Sequence, residues 1–70
     1  MLTDEQKVTA VRMIARHLGI PATAVAFVGG ANFTQPGDRK QVWNVSVEIT
    51  QDGQKLGKDF DIEGAQVTEY

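Results

Sequence analysis

Apolar residues recur at helical spacing near the start of the chain, where Val8, Val11, Ile14, Ala15 and Leu18 form one stripe. Thr3 followed by Gln6 fits a capping box, in which each residue bonds the other's backbone. Asp4 and Glu5 fall in the first turn and Arg16 and His17 in the last, and both placements suit the helix dipole. Gly19 and then Pro21 supply a stop signal. The pattern predicts a helix over 3–18, with Thr9, Arg12, Met13, Arg16 and His17 on the face away from the core.

The period then changes from helical to alternating. Residues 24–33 read as a strand interrupted at Gly29-Gly30 by a bulge or bend. In residues 41–50, Trp43, Val45, Val47 and Ile49 point one way, and Asn44, Ser46, Glu48 and Thr50 the other. Asp52-Gly53 is a preferred pair for a two-residue hairpin turn. That turn sets Ile49 opposite Leu56, Val45 opposite Phe60 and Trp43 opposite Ile62, so register and hydrophobic pattern agree over a strand at 55–63. Lys58, opposite Val47, is the one misfit, resolved either by snorkelling to the sheet edge or by a bulge at Gly57. Gly64 allows a last turn into a short strand at 66–70.

The expected architecture is α+β: a single domain over 1–70, with one N-terminal helix packed on a three- to four-stranded antiparallel meander sheet. The helix stripe covers the Trp43, Val45, Phe60 and Ile62 face, and the opposite face is left to solvent or a partner. The stretch VGGANFTQPGDRKQVW, residues 28–43, then reads as a strand end and a hairpin connection over 34–40, turned by Pro36-Gly37. It lacks the helix start and the lysine-serine pair of a phosphate-binding loop. If the connection has a function it is protein contact, with Phe33 and Arg39 as anchors.

Composition narrows the picture. At 70 residues without cysteine, the chain has no disulfide staple and no thiolate metal site. A chain this short buries only about 60% of its unfolded surface, so stability rests on tight packing or on a partner. The polar start MLTDEQK is unlike a signal peptide, and no apolar run reaches the ~20 residues of a membrane span, so a soluble cytoplasmic protein is expected. The net charge of −2 is uneven: three bases against two acids give +1 over 1–37, and four bases against seven acids give −3 over 38–70. A mildly acidic chain argues against direct nucleic-acid binding.

Candidate chemistry is sparse. Ser46 is the one serine and His17 the one histidine. They are expected on opposite sides of the domain, so no nucleophile meets a base and no enzyme is expected. His17 reads as a favourable charge at a helix C-terminus, and Trp43 as a core residue. Met13 beside Arg12 and Arg16 is either a solvated helix face or a contact surface. The run DFDIE places Asp59, Asp61 and Glu63 on one sheet face, with alternate residues about 6.6 Å apart. Glu48, Ser46 and Asn44 lie beside them. Spaced this way, the carboxylates do not converge on one ion, so no metal or cofactor is expected. A solvated strand face is the first reading and an acidic docking surface the second, with metal or acid-base chemistry ranked behind both.

The helix ending in HLGIP, the W-x-V-x-V-E strand and the closing D-x-E-G-A-x-V-x-E-Y segment resemble a PepSY-type domain, with Asp61, Gly64, Val67 and Tyr70 standing at that family's closing positions. The resemblance implies a helix followed by an antiparallel meander, and a binding or inhibitory role such as that of peptidase propeptides. The helix and the W-x-V-x-V-E strand are also similar to a section of a gas-vesicle accessory protein, without that family's arginine-rich C-terminal segment. The expected function is a small non-catalytic protein-binding module, an inhibitor or adaptor acting by surface occlusion. Its partner is a larger protein or complex with a basic surface. Contact residues are Glu48, Asp59, Asp61, Glu63, Phe33 and Arg39. A narrower form is a phage-encoded inhibitor of a host defence complex, anti-CRISPR-like, whose carboxylates imitate a phosphate row. The alternative is a structural homodimer or larger homo-oligomer, paired through the first strand as an exposed edge.

Overall fold

The computed structural model describes residues 2–34 and 41–69, with the side chains of residues 33 and 34 excepted. Helix α1 spans Asp4–Leu18, a short 3-10 turn spans Ala22–Ala24, and four strands follow: β1 Val25–Thr34, β2 Gln41–Gln51, β3 Gln54–Glu63 and β4 Gln66–Glu69. The sheet is an antiparallel meander in the order β1-β2-β3-β4, with α1 packed on one face. This is the expected α+β arrangement with the full four strands.

Both ends of α1 are closed by their own residues. The Thr3 hydroxyl accepts from the Gln6 N–H at 3.1 Å, and the Gln6 side-chain oxygen accepts from the Thr3 N–H at 2.9 Å. Gly19 follows the helix at φ 71°, and the Ile20 N–H reaches back to the Ala15 carbonyl at 3.0 Å. The buried stripe is rotated from the expected one: Ala10, Ile14 and Ala15 are buried, whereas Val8 is 51% exposed. At 100° per residue, Val8 lies about 120° around the helix from Ile14, beyond the contact arc. Met13, expected on the outer face, is partly buried against the core.

The Asp52-Gly53 hairpin forms with the predicted register unbroken from Val42↔Glu63 to Gln51↔Gln54. Both turn residues have positive φ, 51° and 77°, as a type I′ turn requires. Gly57 carries no bulge, since Glu48 pairs with it in register. Lys58 instead reaches across to the last strand, its ammonium 3.0 Å from Glu69 Oε2. Both partners are about one-third exposed, so the pair is worth at most about 1 kcal/mol and mainly keeps a charge beside Val47 solvated.

The bulge of β1 lies one residue before the glycine pair. The register shifts between Phe27 and Gly29, leaving Val28 unpaired and 66% exposed. Gly30 has a different task. A Cβ there would stand 2.7 Å from the Asn44 carbonyl oxygen and 3.1 Å from Leu2 Cδ1, so only hydrogen fits where Leu2 closes over the sheet. The core is formed by Phe60, Ile14, Ile49, Val45 and Val47, all fully buried, with no buried polar residue among the described ones.

Candidate functional site: the uncovered face of the sheet

Since α1 covers one face only, the alternation along β2 and β3 sorts their side chains into two populations. Val45, Val47, Ile49, Phe60 and Ile62 enter the core. Val42, Asn44, Ser46 and Glu48 of β2, with Lys55, Asp59, Asp61 and Glu63 of β3, share the other face, on which Val42, opposite Glu63, is buried. The expected carboxylates Glu48, Asp59, Asp61 and Glu63 are therefore on one surface.

Cross-strand partners orient this row. Asn44 and Asp61 are directly opposite, and Asn44 Nδ2 donates to Asp61 Oδ1 at 3.1 Å. Ser46 stands opposite Asp59 and donates its hydroxyl to Asp59 Oδ1. Such bonds to a carboxylate are charge-assisted and fix its side chain, which lowers the entropy lost on docking. Glu48 makes a looser 3.8 Å ion pair with Lys55 near the hairpin end. The four acids against one lysine leave this surface negative.

Ser46 is on the uncovered face, engaged with Asp59. His17 is on the helix side, and the two do not meet. The placement of His17 nonetheless differs from the expected one. It follows Ile14 by three positions, about 60° around the helix, and so sits at the border of the core face. Its ring meets Phe60 edge-on, with centroids 6.3 Å apart and an interplanar angle of 79°. Among the described residues, no three His, Asp or Glu side chains gather as metal ligands. Trp43 is half-buried against the core opposite Ile62 and borders a groove of about 480 Å³ with Gln41, Glu63 and Gly64. Arg39, the Phe33 side chain and the 35–40 part of the connection lie outside the described residues.

One feature lacked a clear signal in the sequence. Lys7, Val8, Val11 and Arg12 of α1, with Ala22 and Phe27, line a groove of about 240 Å³ between the helix and β1. Val8 belongs to the apolar stripe that the sequence predicts for the core, and the short turn at 22–24 has no distinctive sequence mark.

No family model, no curated protein and no solved structure matches the chain. Among the described residues, no helix is long and apolar enough to cross a membrane.

Proposed function

We propose that this protein is a non-catalytic binding module that inhibits or links a larger protein by covering part of its surface. The observation that carries the reading is the uncovered sheet face, on which Asp59 and Asp61 are held by Ser46 and Asn44 beside Glu48 and Glu63. An ordered negative surface steers encounter with a basic one and sets its register. The partner is accordingly a protein or complex with a basic groove. In the narrower form, the carboxylates along β3 imitate a phosphate row and the partner is a nucleic-acid-binding host defence complex, met by a phage-encoded inhibitor. The cysteine-free composition supports a cytoplasmic setting.

The test is affinity capture of the tagged protein from its host's lysate at low and high salt. A larger partner retained at low salt and released at high salt is the expected result. Equal capture by an Asp59→Lys/Asp61→Lys variant overturns it. The second reading, a homo-oligomer, is favoured by one observation: β1 is an edge strand among the described residues. A mass that stays monomeric as concentration rises removes that reading.

A further inference from the structure

The groove between α1 and β1 differs from the acidic face in both shape and charge. Among the described residues, its walls are Val8, Val11, Ala22 and Phe27, and its charged lining residues are Lys7 and Arg12. Lys7 Nζ stands 5.4 Å from the centroid of the Phe27 ring, within cation–π range, and 3.8 Å from the exposed Asp4 carboxylate, so Arg12 is the lining cation left for a partner's carboxylate. Arg12 is exposed and makes no ion pair among the described residues. Val8, which lines the groove, and Val28, next to Phe27 at the bulge, are large apolar residues left exposed. The groove runs beside β1, whose far edge has no strand partner among the described residues.

We propose that this groove and the β1 edge together bind an extended acidic segment of a partner protein, which adds a strand to the sheet and seats one apolar side chain in the groove. Each part follows from a separate property. The open edge offers backbone donors and acceptors, which pair with any extended chain and supply affinity. About 240 Å³ is below the usual range for a small-molecule site and suits a single side chain. The cationic lining selects carboxylates on the flanking residues of the segment. The molecule then has two contact surfaces of opposite sign, as an adaptor requires, and this second surface does not depend on the first.

The test is titration of the isotope-labelled full chain with an end-blocked peptide alternating valine and glutamate, followed by amide and methyl chemical shifts. A second peptide has lysine in place of glutamate. The expected result is saturable shifts at residues 25–32 and at the Val8 and Val11 methyls with the glutamate peptide. Binding is expected to weaken roughly tenfold or more with the lysine peptide, and likewise with Arg12→Glu. Leu56→Lys, at an exposed site on β3, is expected to bind as the unaltered chain does. Circular dichroism of each variant confirms that it folds. No saturable shift, equal shifts from both peptides, or unaltered binding by Arg12→Glu overturns the proposal. So do shifts along β1 that depend on the protein's own concentration, which would assign the edge to a second copy.

Discussion

Gly29 and Gly30 are adjacent and chemically identical, yet alanine is expected to act differently at the two sites. At Gly30 the new Cβ would be 2.7 Å from the Asn44 carbonyl oxygen, 3.1 Å from Leu2 Cδ1 and 3.3 Å from Phe27 Cζ. The nearest of these is backbone in the paired strand, so relief requires β1 and β2 to separate or Leu2 to leave its buried position. Overpacking of this kind costs about 1–3 kcal/mol. At 4–8 °C per kcal/mol for a domain of this size, the melting temperature is expected to fall by about 4–24 °C. At Gly29 a Cβ meets nothing within 4 Å, and φ is not in the left-handed region. Alanine there restricts the unfolded chain and is expected to be neutral or stabilising by up to about 1 kcal/mol. Urea unfolding of both variants measures the difference. A Gly30→Ala variant as stable as the unaltered chain, or a Gly29→Ala variant less stable than Gly30→Ala, would refute the close approach of Leu2 and β2 at this position.

Further outcomes follow from other contacts. Thr3→Ala removes the acceptor for the Gln6 N–H and is expected to cost about 1 kcal/mol by urea unfolding. Lys58→Met removes an ion pair with Glu69 at a partly exposed edge and is expected to change stability by less than about 1 kcal/mol, whereas a bulged or buried lysine would give a larger effect. Val8→Lys is expected to stay within about 0.5 kcal/mol, because Val8 is half-exposed, while Ile14→Ala costs about 2–5 kcal/mol. Phe60→Ala is expected to lose about 3–5 kcal/mol and, for a domain this small, most of its folded population at ambient temperature, seen as loss of near-ultraviolet dichroism.

The register of β2 and β3 was legible because two independent signals coincide in them. Asp52-Gly53 fixes the turn, and a one-residue slip would send Val45, Val47 and Phe60 to solvent. The position of the acid row followed directly from that register. The helix face was less legible, because Val8 and Ala10 are both compatible with an apolar stripe and their order of burial depends on how the helix crosses the sheet. Ala10 lies against the sheet because its small side chain allows close approach, and this rotation exposes Val8 and turns His17 toward Phe60. The Lys58–Glu69 pair joins positions whose proximity depends on β4 pairing with the end of β3. The α1–β1 groove was hidden for a similar reason: it is bounded by three elements, one of them the short turn at 22–24.

We propose that the ordered carboxylates on the outer sheet face form the docking surface. Its most direct test is the affinity of the captured partner for the unaltered chain and for Asp59→Lys/Asp61→Lys, each at low and high salt, with both proteins verified as folded. Charge reversal is expected to weaken binding by roughly tenfold or more and to remove most of the salt dependence with it. Equal affinities for the two proteins, or salt dependence that survives the reversal unchanged, would contradict it.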